Sequence, residues 1–200
     1  ARGLRAYGEN DRTVQEHTVI DPLFASLQAN KFLEEKITTS ILAEDEIADA
    51  ASPELATIRR QIRAATARAR ESLQKIISSP AYAKALQEPI ITTRSERYVV
   101  PVKAEHRGEV PGLVHDVSAS GATLFVEPMA SVKANNELRE LRAKEKTEID
   151  RILMELSANC AAHRSEIDTD YVILTQLDLI FAKAKLSYQM GGMEPELSTK

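Results

Sequence analysis

The hydrophobic residues that follow position 52 recur with the spacing of a helix that packs along one partner helix. Alternating steps of three and four residues separate them, which is the pattern of a narrow helical seam. The seam consists of Leu55, Ile58, Ile62, Ala65, Ala69, Ser72 or Leu73, and Ile76. Ser52 followed by Pro53 is a helix start signal, because serine caps free N–H groups and proline fits the first turn. The pattern predicts an outgoing helical segment over 52–88, whose main helix ends near Ser78.

A second seam of the same kind follows residue 128. Its apolar residues share one helical face, and charged residues of both signs occupy the other faces. The seam consists of Leu138, Leu141, Ile149, Ile152, Leu156 and Cys160. This predicts a returning helical segment over 129–165. Further helical segments are predicted over 1–51 and 166–200. The first of these includes one helix over 23–42, and the second ends its helix at Gly191.

The region between the two long helices, residues 89–128, carries the strand signals. Four short runs are rich in β-branched and aromatic residues and are separated by polar turns. These runs cover 90–93, 98–102, 112–117 and 122–127. Since Pro101 and Pro111 have no N–H to donate to a neighbouring strand, we expect their strands to be edges or bulged. About forty residues are too few for an independent core, so this β module needs support from the helix ends.

Together these elements predict a mainly α fold with a small β insertion. The two long helices run out and back, antiparallel to each other, and carry the β module at their tip. A helix of about 26 residues is roughly 39 Å long. We therefore expect the β module to lie far from the base of the helix pair.

The composition limits the classes of function. The chain has 200 residues, a formal net charge of −4 and one cysteine, Cys160, which excludes an internal disulfide and a cysteine-based zinc site. No apolar run approaches the roughly 20 residues that a membrane span needs, so we expect a cytoplasmic protein without a membrane partner. The first residue is Ala1 and not methionine, which indicates a piece of a longer protein.

His115, Asp116 and Ser118 are the residue types found in hydrolytic triads. Adjacent residues of a strand point to opposite faces, so His115 and Asp116 converge on one atom only if the strand is bulged. The four histidines lack the spacing of a metal site, and the chain has no phosphate-binding loop motif. We therefore expect no catalytic residue, metal site or cofactor in this segment.

Positive charge is concentrated in two places within an acidic chain. Between Arg59 and Lys75 there are six cations and one anion, and such a helix face can follow phosphate groups. The alternative is that these cations pair with acidic residues of the returning helix. In the β module the basic residues fall in turns or at strand ends, interleaved with glutamates. The residues predicted to bind nucleic acid are Arg94, Arg97, Lys103, His106 and Arg107 of the β module, and Arg59, Arg60 and Arg63 of the helix.

Three longer motifs resemble the second bacterial branch of the MutS family. They are YVVPVK at 98–103, HDVSASGATLFVEP at 115–128 and NNELREL at 135–141. Shorter matches extend the resemblance over roughly residues 22–188. Val117 departs from the family, in which a polar residue is expected at this position.

The resemblance implies the core, lever and clamp portion of a larger protein. In that family, long lever helices carry a small β clamp, and an ATPase domain and a small nuclease domain follow. ATP, magnesium, and the ATPase and endonuclease activities are therefore expected of the full protein and not of this segment. The implied partners are branched DNA, whose binding suppresses homologous recombination, collided ribosomes, which the family rescues, and a second copy of the protein.

Two functions of the segment stay open. In the first, the helix pair holds the β tip against a nucleic acid, and the basic residues contact its backbone without reading its sequence. In the second, the segment is a purely structural, dimerising coiled coil without direct nucleic-acid contact. The least favoured hypothesis is a hydrolase whose catalytic residues are His115, Asp116 and Ser118.

Overall fold

A computed structural model of the chain describes Leu4 and residues 19–193. The chain forms two compact units, one made of Ala1–Thr38 with Met154–Lys200 and the other of Thr39–Leu153. The described residues are mainly helical, with two small antiparallel sheets, which confirms the predicted fold class of mainly α with a small β insertion. Every helix among these residues is too short or too polar to traverse a lipid bilayer.

The described elements alternate between helices and short strands. In chain order they are helices α1 (Asp21–Ser26) and α2 (Lys31–Ser40), strands β1 (Ile41–Ala43) and β2 (Glu46–Ile47), helix α3 (Pro53–Ile77), strands β3 (Thr92–Arg94), β4 (Arg97–Lys103), β5 (Gly112–Val117) and β6 (Thr123–Pro128), and helices α4 (Met129–Ala162) and α5 (Arg164–Met190). Two 3₁₀ segments, Asp49–Ala51 and Ala104–Glu109, precede α3 and follow β4.

The first unit has a small core between α1 and α5. The buried residues of this core are Phe24, Leu27, Ile173 and Leu177. The backbone N–H of Gln28 donates to Asp170 Oδ1 at 2.8 Å, which ties the end of α1 to α5. Helix α5 ends where predicted, at Gly191, whose φ of 64° lies in the left-handed region that glycine adopts without strain.

The single helix predicted over 23–42 is wrong, because the chain breaks between α1 and α2. Leu27 leaves α1 in an extended conformation and is completely buried. The side chain of Asn30 then accepts a hydrogen bond from the N–H of Leu33 at 2.9 Å, which caps a new helix. Burial of Leu27 and capping by Asn30 together overcome the local preference for one continuous helix.

In the second unit, α3 begins at the predicted residue. Ser52 Oγ accepts a hydrogen bond from the N–H of Leu55 at 2.9 Å, as an N-cap does. Helix α3 packs on the first part of α4 through a core of small and aliphatic residues, namely Ala65, Ala69, Leu138 and Leu141. Two hydrogen bonds show the direction of α4 relative to α3. Ser52 bonds to Glu148, while Arg68, more than four turns later in α3, bonds to Glu137. The two helices therefore run antiparallel in this unit.

Four strands form an antiparallel sheet in the order β3-β4-β6-β5, so the four predicted strands are confirmed. The strand after Pro111 is an edge and is bulged between Val114 and Asp116, as expected. For the strand that contains Pro101, the expectation of an edge or a bulge is wrong, since β4 lies inside the sheet and pairs with β3 and β6 without a shift of register. The carbonyl of Pro101 accepts a hydrogen bond from the N–H of Gln87. Since the nitrogen and the carbonyl of a strand residue face the same neighbour, the proline nitrogen, which has no hydrogen to donate, faces this loop and not β6.

The sheet rests on the helix ends. One face packs on the last turns of α3 in a core made of Leu73, Ala85, Leu86, Val100, Val102, Val110 and Val126. Tyr98 also packs against the core between α3 and α4, and Arg142 of α4 donates to the carbonyl of Glu96 at 2.9 Å. The β3–β4 hairpin therefore lies alongside the first turns of α4, which provide the support that the small module needs.

Candidate nucleic-acid interface

Glu127 is the centre of a buried polar network that joins the sheet to α4. Its carboxylate is completely buried and accepts hydrogen bonds from three side chains. Arg97 Nη1 lies 2.8 and 3.0 Å from the two oxygens, Asn135 Nδ2 lies 2.8 Å from Oε1, and His115 Nε2 lies 2.5 Å from Oε2. Asn135 also exchanges two hydrogen bonds with the backbone of Tyr98. Because a buried carboxylate needs such partners, the network fixes the sheet on α4.

Two of the predicted contact residues, Arg94 and Arg97, are held by neighbours within the β module and α4. The Arg97 side chain is only 14% exposed, and its Nη2 donates to Asn136 Oδ1 at 2.7 Å. The Arg94 guanidinium lies 3.9 Å from the centre of the Phe125 ring and pairs with Asp116 at 3.0 Å. Since each arginine already has a carboxylate partner, neither presents an unpaired charge to a phosphate group.

The bulge in β5 brings no triad together. His115 bonds to Glu127, whereas the adjacent Asp116 pairs with Arg94 and with the N–H of Val117. Ser118 Oγ accepts from the N–H of Thr123 at 3.0 Å and closes the β5–β6 turn. The three side chains have separate structural partners, so their contacts support the structural interpretation over the hydrolase.

The other basic residues of the β module lie at the end of the sheet away from Glu96. Lys103 Nζ donates to the backbone carbonyl of Lys84 at 3.1 Å. His106 Nδ1 lies 2.7 Å from Glu109 and its Nε2 lies 3.5 Å from Glu105. Arg107 is exposed, and among the described residues no carboxylate lies within ion-pair distance of Lys103, Arg107 or Lys84. Lys103 and Arg107 are thus the predicted residues of the module with unpaired charge.

The three predicted cations of α3 fall into different environments. Arg59 donates to Glu145 and Asp49, each at 2.7 Å, and to the carbonyl of Ile47. The hydrogen bond from Arg59 lowers the pKa of Asp49, and the hydrogen bonds to Asp49 and Glu145 raise the pKa of Arg59. Arg60 is exposed, and its one hydrogen bond to a side chain that the structure describes goes to Thr57 Oγ1 at 3.1 Å. Arg59 is therefore a structural residue.

Arg63 is intermediate between these two. Its Nη1 lies 3.5 Å from Asp49, and its side chain is 65% exposed. An ion pair at this distance and exposure contributes little to stability. The guanidinium of Arg63 remains accessible to a ligand.

Two further exposed cations, Arg70 and Lys84, are not among the residues predicted to bind nucleic acid. Arg70 lies with its guanidinium 5.4 Å from the centre of the Tyr98 ring. Its position seven residues after Arg63 places both on one helix face, a signal that the sequence contains. The backbone of Lys84 lies next to Lys103 because Leu86 pairs with Val102 in an isolated bridge. No local sequence pattern predicts that contact.

The described residues contain no cluster of side chains that could hold a metal ion. No group of three or more His, Cys, Asp and Glu side chains converges within 19–193. A groove of about 300 Å³ lies between α3 and α4, lined by Gln61, Ala64, Arg68, Glu137, Glu140, Leu141 and Lys144. Because this lining carries both signs of charge, the groove has no preference for an anion.

Comparison with known proteins places the whole chain within one set of relatives. It is 49% identical over 199 residues to Endonuclease MutS2 of Alkaliphilus oremlandii and 50% identical over 198 residues to Endonuclease MutS2 of Acetivibrio thermocellus, covering 100% and 98% of this chain. Endonuclease MutS2 of Pelotomaculum thermopropionicum is 52% identical over 92% of the chain. The chain spans about a quarter of the length of the first two, 25% in each case, and 23% of the third. No protein-family model matches the chain.

Proposed function

The chain belongs to the MutS2 branch of the MutS family, and we propose that it is the segment with which such a protein holds the backbone of a nucleic acid. In this proposal, the β module at 89–128 is the clamp. The segments 52–88 and 129–165 are its two levers. The remaining segments, 1–51 and 166–200, belong to the helical core.

The observation that carries the proposal is a pair of cations without a carboxylate partner, Lys103 and Arg107, at the end of the sheet away from Glu96. Lys103 ends β4 and Arg107 lies in the following 3₁₀ segment. Neither side chain has a carboxylate within ion-pair distance among the described residues. The buried hydrogen bonds of Glu127 hold the sheet on α4, so these two cations are presented from a fixed support. Contacts to phosphates of this kind provide affinity without sequence preference.

The activities of the longer protein are part of the same proposal. In this proposal the longer protein is a cytoplasmic homodimer. It binds branched DNA and thereby suppresses homologous recombination. It also binds collided ribosomes and thereby rescues them. ATP and magnesium then bind outside this segment, and the ATPase and endonuclease activities arise there. The segment positions the nucleic acid and contributes binding affinity, and it catalyses no reaction.

The test is fluorescence anisotropy of the 200-residue chain with a labelled four-way DNA junction over a salt series. We expect weak binding that falls steeply with salt, because each phosphate contact contributes about 0.9 to the slope of log K against log salt. In the variant Lys103→Gln/Arg107→Gln the slope is expected to decrease by about 2. The matched control is Lys183→Gln/Lys185→Gln in α5, where two exposed lysines are removed.

Two results would reject the proposal. One is the absence of binding even at low salt by a chain whose circular dichroism is that of the folded protein. The other is equal binding by the Lys103→Gln/Arg107→Gln variant and the unmodified chain.

The ion pairs between α3 and α4 favour the second candidate function, a purely structural segment. Arg59 pairs with Glu145 and Arg68 pairs with Glu137 at 2.6 Å, so part of the basic helix serves to join two helices. Under this alternative, Lys103→Gln/Arg107→Gln leaves nucleic-acid binding by the full protein unchanged.

A further inference from the structure

The outward side of α3 carries a second row of cations, separate from those of the β module. Arg60, Arg63 and Arg70 are spaced by three and seven residues, so they lie on one side of the helix. The row extends over about 15 Å at 1.5 Å per residue. Ala67, an exposed residue with a small side chain, lies between Arg63 and Arg70 in the helix.

The acidic residues near this row already have cationic partners. Asp49 lies 2.7 Å from Arg59 and 3.5 Å from Arg63, and the hydrogen bond from Arg59 and, to a smaller extent, the charge of Arg63 lower the pKa of Asp49. Glu71 lies 2.9 Å from Lys75, and that hydrogen bond lowers the pKa of Glu71. Both carboxylates are therefore ionised and paired, whereas Arg60 has only the hydroxyl of Thr57. The row keeps a net positive charge.

We propose that Arg60, Arg63 and Arg70 form a second contact surface, which binds the phosphate backbone of a double-helical nucleic acid. This inference rests on the proposed function and adds to it a second site and a class of ligand. A duplex carries one negative charge per about 1.7 Å of its axis, against one per about 3.4 Å for each strand. Three cations whose positions span about 15 Å of the helix axis thus face roughly twice as much charge on a duplex as on one of its strands.

The composition of α3 also favours a duplex over a single strand. Proteins that bind single strands stack successive bases on exposed aromatic rings. Helix α3 contains no aromatic residue, and the neighbouring ring of Tyr98 lies under the guanidinium of Arg70. The surface offers charge and no stacking platform, which suits a regular backbone whose bases are paired.

The experiment compares the 200-residue chain with the variant Arg60→Gln/Arg63→Gln/Arg70→Gln in anisotropy measurements over a salt series. The probes are a linear DNA duplex, an RNA duplex of the same sequence, and a single-stranded DNA of equal length. For a duplex, we expect the slope of log K against log salt to decrease by about 2 to 3 in the variant. Glutamine has a good helix propensity, so the circular dichroism of α3 is expected to be retained.

Two further variants control for charge and for geometry. Arg139→Gln/Lys144→Gln/Lys146→Gln removes three exposed cations from α4, where acidic residues alternate with them, and is expected to leave the slope unchanged. Arg60→Lys/Arg63→Lys/Arg70→Lys keeps the charge and is expected to keep the slope. A loss on either the DNA or the RNA duplex supports the proposal and identifies which duplex is bound.

The outcomes separate this inference from the proposed function. If the unmodified chain binds a duplex and the α3 variant binds it with the same slope, the second contact surface is refuted while the β-module contact stands. An equal loss of slope on the single strand refutes the duplex preference. If the unmodified chain binds the four-way junction but neither duplex, the second contact surface is refuted while the proposed function stands. If it binds neither the junction nor any of the three probes, the proposed function itself fails.

Discussion

Arg97 Nη1 lies 2.8 and 3.0 Å from the two carboxylate oxygens of Glu127, a residue without exposed surface. Arg97 begins β4, and Glu127 is the penultimate residue of β6. Asn135 of α4 bonds to the same carboxylate. One ion pair thus joins two strands and a helix, and the arginine that sequence reasoning assigned to nucleic-acid binding completes the buried network.

Removal of the Glu127 carboxylate is therefore expected to destabilise the second unit strongly. Glu127→Ala leaves the Arg97 guanidinium without its counter-charge in a largely buried place, and the loss is expected to be about 3–5 kcal/mol in the free energy of unfolding. Urea denaturation followed by circular dichroism measures it. Glu109→Ala, which changes a half-exposed carboxylate, is the control and should cost less than about 1 kcal/mol.

A double variant tests whether the ion pair itself is responsible. In Arg97→Gln/Glu127→Gln both charges are absent, so the loss is expected to be smaller than the sum of the losses measured for Arg97→Gln and Glu127→Gln alone. Additive losses would show that the two residues stabilise the sheet independently.

The neighbouring arginines Arg59 and Arg60 are expected to differ in their effects on stability. Arg59→Gln removes charge-assisted hydrogen bonds to Glu145 and Asp49 and is expected to lower the free energy of unfolding by about 1.5–3 kcal/mol. Arg60→Gln changes an exposed side chain and should stay within about 0.5 kcal/mol. Urea titrations of the two variants side by side measure the difference. Equal effects would contradict the separate roles assigned to them.

A side chain at position 112 is expected to separate β5 from β6. A Cβ atom on Gly112 would overlap the backbone carbonyl of Glu127 and lie 2.8 Å from Val126 Cγ1. Because the obstacle is backbone and cannot rotate away, Gly112→Ala is expected to cost at least about 1–3 kcal/mol. The melting temperature reports this loss, and Gly108→Ala, which meets no atom within 4 Å, serves as the comparison. A Gly112→Ala variant as stable as Gly108→Ala would contradict the close strand approach.

Glu148 is expected to make stability depend on pH in the acid range. Hydrogen bonds from Arg151 and, to a smaller extent, from Ser52 lower the pKa of this buried carboxyl from 4.5 to about 2. A carboxyl with a lowered pKa in the folded state stabilises the protein above its unfolded pKa, and this contribution is lost as the pH falls from 4.5 towards 2.

The variant Arg151→Gln tests this dependence. Without the guanidinium, the pKa of Glu148 moves back towards its ordinary value, so the variant is less stable than the unmodified chain near about pH 6, and the difference shrinks near about pH 2.5. Urea midpoints at both pH values measure this. A difference that stays constant with pH would show that Arg151 acts through packing alone.

The elements of the fold follow from local patterns in the chain. Ser52 and Pro53 mark the start of α3, the apolar seams predict α3 and α4, and four β-branched runs predict the sheet. These signals act between residues that are close in sequence, and so they can be read without the structure. Where prediction fails locally, as at Leu27 and Asn30, burial of one side chain against α5 outweighs the helical pattern.

Residue type and spacing along the chain are enough to locate α3, α4, the four strands of the sheet and the abundance of positive charge on α3. Which cations are free depends on long-range packing. Arg59 and Arg97 meet carboxylates that lie 86 and 30 residues away in the chain, whereas Arg60 and Arg107 meet none among the described residues. Charge pairing depends on which distant segments the fold brings into contact, and that information is absent from the local pattern.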